Sequence, residues 1–511
     1  MGTCQLTVPL HTSNSSALGL WKMMAALTPT FDWRFLAHYP RQYVASKLSP
    51  GQPLKIDGLL NESAWAEVPW TSDIATGGWF VDITHHPRGS NLSNSVPHQL
   101  QARAKIRWDD DFLYIGAELR EPFILANVTG HNGPEVPYHD NDFEVFIDVS
   151  GTTQYYKEFE MSARNATYDV LWGVPDGAGL SCAPSAGPGD IVPVCVNTSS
   201  PFYAGNWSMV NPRVAGLAGG GMTTATSYKT SEYATFVSPY AVWTAEIAFP
   251  LRSGTAGGGW HGGLLDATGE AAAYASYDPS DHEQVYWHFD ISRAEHPRAY
   301  ASEEATSYCP FDCGPELAAA TPQLSAPSSD ECAAVLKEWP TLLGVDPWNC
   351  YWEWVWSDVG SNNYMHRPLY WAVLQFASDA SSSASAVCKL VEWPGRYLAR
   401  QVYVAQQAYS KAHAAFASDI QALLPACVAP GCDPHALRHA LSNASPFEID
   451  IAVTANASVL SALCPTRPCY LASVRVAAPL PTGVYRYNTS INSNSRLVTS
   501  HSLPPGKRPC L

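Results

Sequence analysis

Between residues 101 and 376, apolar and polar positions alternate in short runs separated by turn residues. A period of two is what a strand with one buried face requires. The pattern predicts strands over residues 101–107, 112–119, 168–172, 241–250, 285–293, 351–356 and 367–376. The sharpest run covers residues 138–161, YHDNDFEVFIDVSGTTQYYKEFEM, and predicts a hairpin. Phe143, Val145 and Ile147 alternate with Glu144, Phe146 and Asp148, and Gly151 supplies the turn. The return strand puts Phe159 and Met161 on one side and Glu158 and Glu160 on the other. A register that keeps both apolar sets together sets Glu144 opposite Glu158 or Glu160. Facing like charges are destabilising. Such a wall calls for a cation, an arginine or a hydroxyl-rich ligand; the plainer alternative is a solvated face relieved by Lys157.

Short strands with no interleaved helices predict a mainly β chain, a two-sheet antiparallel β-sandwich of the immunoglobulin or jelly-roll kind. Residues 1–50 show no clear period and read as irregular. The sandwich runs over 51–377, with Gly/Pro/Ser-rich insertions at about 174–230 and 297–345. Asn61 to Trp65 reads as a capped helical turn that plants Trp65 inward. Residues 378–393 read as a linker. Residues 394–511 form a small α+β region: helical spacing over 394–424, then strands over 447–455, 469–477 and 484–498.

Composition narrows the chemistry. The 511 residues carry a formal net charge of -16. That argues against nucleic acid and anionic membrane surfaces, which need basic patches. No apolar run reaches the roughly 18 residues of a membrane helix. Of the 13 cysteines, 12 follow residue 181, several in close pairs: Cys182 and Cys195, Cys309 and Cys313, Cys427 and Cys432, Cys464 and Cys469. None has convincing zinc spacing, so loop disulfides are expected. Ten of the 19 asparagines lie in Asn-x-Ser/Thr, against the roughly one fifth expected by chance. Both features point to a secreted glycoprotein or one at the cell surface. The N-terminus is not a good signal peptide, since Lys22 breaks its apolar stretch and nothing basic precedes it.

Seven motifs in order, IDGLLNESAW, WDDDFLYIGAEL, DNDFEVFID, YKEFEMSARNATYDVLW, VWTAEIAFP, FDISRAEH and YMHRPLYWAVLQF, resemble the family 9 carbohydrate-binding modules. The resemblance covers about half of the chain and implies a two-sheet sandwich that grips a sugar ring between aromatic side chains. It places Tyr138 and Met365 where the family has tryptophans. It keeps the carboxylate as Glu144 and puts Glu160 where an arginine is expected. Asp290, Ser292 and Arg293 fill polar slots, and Tyr364, His366 or Trp356 could substitute for the second ring. The carbohydrate-binding set is therefore Tyr138, Glu144, Glu158, Glu160, Asp290, Arg293, Met365 and His366, with Arg293 a candidate answer to the carboxylates.

The function this implies is non-catalytic binding of a plant or microbial polysaccharide or its chain ends. Two alternatives stand beside it. One is a glycoside hydrolase, or an accessory subunit in carbohydrate catabolism, with Glu144 and Glu158 as the acid pair; no nucleophile elbow, HExxH or phosphate loop accompanies them. The other is a structural sandwich that has lost its sugar site. Trp352, Trp354 and Trp356 share a strand face and read as core rather than platform. No cofactor is expected beyond a structural calcium, whose candidate ligands are Asp109, Asp111, Asp140 and Asp142.

Overall fold

The structure is a computed structural model. It describes residues 33–52, 54–73, 78–83, 101–120, 136–154, 156–172, 203–205, 223–227, 242–252, 263–265, 277–280, 285–296, 352–357, 365–378, 387–428, 431–442, 447–454, 469–480, 483–493 and 495–501, with Thr76, Val96, Ala126, Val128 and Gly130. Most of both predicted insertions falls outside these residues.

Thirteen strands form one continuous ladder. They are β1 (Gln42–Lys47), β2 (Val81–Asp82), β3 (Ala102–Trp108), β4 (Phe112–Arg120), β5 (Asp142–Asp148), β6 (Tyr156–Ser162), β7 (Thr167–Trp172), β8 (Tyr203–Gly205), β9 (Thr223–Ser227), β10 (Val242–Pro250), β11 (Tyr286–Glu295), β12 (Trp352–Val355) and β13 (Ala372–Ala377). The order is β8-β7-β6-β5-β11-β13-β1-β3-β4-β10-β9, with β12 and β2 branching from β11. The ladder curls so that its two halves face each other as a sandwich. Phe159 of β6 meets Phe249 of β10 edge-on at 5.3 Å, and Trp108 of β3 meets Phe376 of β13 at 5.7 Å. Alternate residues of both halves, among them Phe143, Val145, Ile115, Ile247 and Ile291, make one buried core.

The expectation of an irregular segment over 1–50 fails at β1. This strand pairs in parallel with both β13 and β3 and joins the two halves. Gln42 through Ser46 are all buried, and Val44 stands between Gln42 and Ser46 on one side, so no half-polar period marks the strand. Gln42 survives burial because its Nε2 donates to Gln375 Oε1 at 2.6 Å and to the Cys388 carbonyl at 3.0 Å.

Trp65 does point inward, from a single helical turn, α1 (Ser63–Ala66). Its Nε1 donates to Glu246 Oε1 at 2.8 Å, and the other Glu246 oxygen takes the Asp57 and Gly58 N–H groups. Gly116 of β4 makes room: a Cβ there would lie 2.5 Å from Leu60 and 3.2 Å from Trp65.

The C-terminal region has its own core. It contains α2 (Trp393–His413), α3 (Ile420–Leu423), α4 (Pro434–Ala440) and an antiparallel sheet of β14 (Phe447–Thr454), β15 (Cys469–Leu480), β16 (Gly483–Asn492) and β17 (Leu497–His501). The predicted 394–424 helix stops at His413, where Ala414 turns left-handed (φ 53°), a cap position usually signalled by glycine. Phe35 of the N-terminal segment packs into this second core. Cys427 and Cys432 form a disulfide, as their spacing suggested, and Cys388 is disulfide-bonded too.

The two parts meet at the β5–β6 turn. Thr153 donates its hydroxyl to the Ser495 carbonyl at 2.7 Å, and the Leu497 N–H reaches the Thr152 carbonyl at 3.0 Å. Arg396 of α2 donates from Nη2 to the Gly151 carbonyl at 2.6 Å and to His288 Nε2 at 3.0 Å.

Candidate functional site

Residues two apart share one side of a strand, so β5 delivers Asp142 and Glu144 to the face turned away from the core. Across the ladder Glu144 pairs with Glu160, and Asp142 pairs with Ser162. One carboxylate oxygen from each of Asp142, Glu144 and Glu160 lies within 4.8 Å of the other two. Their side chains are buried at 0%, 3% and 3% exposure. Burial lifts all three carboxyl groups well above the ordinary range, and the charges of neighbouring acids act in the same direction.

Each acid accepts from one neutral donor, and Glu160 also shares a side-chain hydrogen bond with Glu158. Asp142 Oδ1 accepts the Ala294 N–H at 2.8 Å, Glu144 Oε2 accepts the Ser292 hydroxyl, and Glu160 Oε2 accepts the Tyr138 N–H at 3.0 Å. Asp142 Oδ2 is buried with no hydrogen-bond partner among the described residues. The Ser292 hydroxyl also lies 3.8 Å from Met365 Sδ. Tyr138, Glu144, Glu160 and Met365 are thus brought to one place. Tyr138 alone of these is partly exposed. Burial, and then the Glu160 charge, push its hydroxyl up to about 12, so it stays a neutral donor.

Glu158 and His366 form a second group one step along the face, joined to the first by a Glu158–Glu160 side-chain hydrogen bond. Glu158 is opposite Phe146. Its Oε2 accepts Trp172 Nε1–H at 2.5 Å and stands 3.9 Å from His366 Nδ1. The same His366 nitrogen lies 2.9 Å from the Tyr156 hydroxyl, and Phe146 and Trp172 set their rings edge-on to the imidazole. Burial drops the His366 pKa to about 3 and raises Glu158 to about 7. The histidine is therefore neutral and makes no salt link to Glu158 at neutral pH.

Two expected members stand apart. Arg293 directs its hydrogen bonds away from the carboxylate wall, although its charge acts on Asp142 and favours the ionised form. It shares its side of β11 with Phe289 and Ile291 of the core, and it binds Glu295 and the Arg120 carbonyl there, with the Trp354 ring 5.2 Å away. An odd–even step along the strand is enough to separate it from Glu144. Asp290 has the right parity but is closed off: its carboxylate accepts the Ser357 N–H at 2.9 Å and the Ser357 hydroxyl at 2.5 Å.

The four calcium candidates do not converge. Asp109 spends its carboxylate on the β3–β4 turn, accepting the Asp111 and Phe112 N–H groups and the Tyr114 hydroxyl. Asp140 accepts the Val128 N–H. Only Asp142 belongs to a carboxylate group of three among the described residues. Trp354 and Trp356 are fully buried, as core residues should be, and the Trp352 side chain and Tyr364 lie outside the described residues. Sequence reasoning missed Trp172 as the Glu158 donor. The period of two in YDVLW, which sets Trp172 and Tyr168 on one side, was the available signal.

No protein-family model matches the chain, and no curated protein matches it. Among solved structures, it is similar to a family 9 carbohydrate-binding module from Caldicellulosiruptor kristjanssonii in complex with cellotriose, at 12% identity over 68% of this chain and 100% of that one, with a TM-score of 0.30. It is also similar to a family 9 module from the same organism in complex with glucose, at 15% identity over 50% of this chain and 78% of that one, with a TM-score of 0.23.

Proposed function

We propose that this protein is a carbohydrate-binding protein whose site is the group formed by Tyr138, Glu144, Glu160 and Met365, with no catalytic step. The observation that carries this reading is the convergence itself. Four residues separated by up to 227 positions are joined through Ser292 and the Tyr138 backbone. They are four of the eight positions assigned to the sugar site from the sequence. A pyranose has an apolar face that suits an aromatic ring and a thioether, and hydroxyls that carboxylates read. Tyr138, the partly exposed member, would present the ring.

A second reading is favoured by one observation: the acids are buried to 3–4% exposure, as a sandwich that has lost its site would have them. The same reading expects Arg293 to pair with them; its charge acts on Asp142, while its hydrogen bonds go to Glu295 and the Arg120 carbonyl. The hydrolase reading needs Glu144 and Glu158 as its acid pair; they lie on paired strands but are not ladder partners, Glu158 standing opposite Phe146, and a strand pair brings such residues close without any catalytic role.

A glycan array with the purified chain, followed by affinity electrophoresis on soluble polysaccharides, decides between the readings. Binding to a defined glycan, with no reducing sugar released, supports the proposal. No binding to any soluble or insoluble glycan overturns it in favour of the structural reading.

A further inference from the structure

We propose that Asp142, Glu144 and Glu160 together hold a divalent cation of the calcium class. The cation site stands on the geometry of these three residues. The further point, that sugar hydroxyls complete the ion's shell, rests on the carbohydrate reading.

Three carboxylates meet within 4.8 Å on one strand-pair face, and none is more than 3% exposed. Two oxygens on opposite sides of one calcium ion stand about 4.6–5.2 Å apart, so the spacing suits that ion. The three neutral donors described above satisfy one oxygen of each acid, Glu160 also shares a hydrogen bond with Glu158, and the Arg293 charge favours ionised Asp142 while its guanidinium binds Glu295. Asp142 Oδ2 is the specific sign of a missing ligand: it is fully buried, has no hydrogen-bond partner among the described residues, and belongs to this group. A buried carboxylate oxygen left this way is costly unless something cationic meets it.

Side-chain cations on the same strands are directed elsewhere. Lys157 of β6 donates to the Leu264 carbonyl on the core side, and Arg293 binds Glu295. An all-oxygen donor set selects a hard ion. Magnesium sheds its waters reluctantly and is rarely caged by protein alone, whereas calcium accepts 6–8 oxygens in flexible geometry. Three carboxylates leave coordination positions for water or for the vicinal hydroxyls of a sugar resting on Tyr138.

The test uses the full chain stripped with a chelator. Adding calcium chloride should raise the melting temperature, and adding terbium should give aromatic-sensitised emission that calcium quenches. Both effects should disappear in Asp142→Asn and in Glu160→Arg, the latter placing a covalent cation in the group. If Asp142→Asn fails to fold, Glu160→Arg carries the comparison. No calcium shift and no terbium emission in the unaltered chain overturns the proposal. So does a shift that persists in Glu160→Arg, because the ion then sits elsewhere. Glycan binding that needs calcium supports hydroxyl ligation. Glycan binding that ignores both calcium and chelator, without a melting shift, overturns the cation site and leaves the carbohydrate reading standing. A calcium shift lost in Glu160→Arg, without glycan binding, does the reverse.

Discussion

Glu144 and Glu160 face each other across the β5–β6 ladder, each held by one neutral donor, the Ser292 hydroxyl and the Tyr138 N–H. Without a cation, ionising both would make a repulsive buried pair, and burial together with this repulsion lifts both carboxyl groups above the ordinary range. Glu160→Gln removes one charge and keeps an acceptor for Tyr138. In chelator at pH 8 the variant should be more stable by about 1 kcal/mol, the upper end for a facing pair. Urea unfolding measures this, and a clear loss of stability would count against the repulsion argument.

Tyr138 is the partly exposed residue of the site, and its side chain should contribute binding without supporting the core. Tyr138→Ala should weaken glycan affinity roughly tenfold, the order expected for losing one aromatic stacking partner. Its melting temperature should stay close to that of the parent. Titration calorimetry and differential scanning fluorimetry on the same sample separate the two effects; equal affinity in the variant removes Tyr138 from the site.

Arg396 joins the C-terminal region to the sandwich, reaching the Gly151 carbonyl and His288 from inside a buried position. Arg396→Met keeps much of the stem and loses the charged donors. A cost of about 2–3 kcal/mol is expected, since hydrogen bonds from charged groups contribute more than neutral ones and the acceptors stay buried. Chemical unfolding gives the magnitude. A change below half a kcal/mol, on the order of a surface substitution, would show that the contact is dispensable.

Asp148 and Asp290 give the pH prediction. Burial raises them from the ordinary 3.8 to about 6 and about 7. Each therefore keeps its proton in the folded chain at pH values where the unfolded chain has lost it. Their contribution to stability is complete below about pH 4 and is lost as pH rises through 6 and 7. The melting temperature should fall between pH 5 and 8, and Asp290→Asn should flatten that fall. A melting temperature that climbs over this range in the parent contradicts the assignment.

Where one face of a strand carries apolar residues and the other mostly polar ones, the period of two shows in the residues. That is why β3, β4, β5, β6, β10 and β11 were legible, and why the hairpin's facing glutamates could be anticipated from register alone. The same logic was silent for β1, whose second face sets Val44 between Gln42 and Ser46, so apolar and polar positions do not alternate. It was also silent for the end of α2, because Ala414 takes a left-handed conformation that its own residue type does not announce. At the site, Glu144 and Glu160 follow from alternation. The Ser292 bridge to Met365 does not, because those residues are 73 positions apart and meet only when β13, which follows Met365, pairs with β11.

The sequence by itself determined the sandwich, the hairpin and its acidic face, because these depend on local periodicity and on the rule that apolar sets must share a side. Only the tertiary structure decided which acids meet and which cations are spent elsewhere. Asp142 joins Glu144 and Glu160, while Asp290 is closed by Ser357 and Arg293 turns to Glu295. The reason is physical: charge compensation acts through space over a few ångströms. Which side chain lies within that distance is set by sheet order and by the parity of each strand, not by neighbours in the chain.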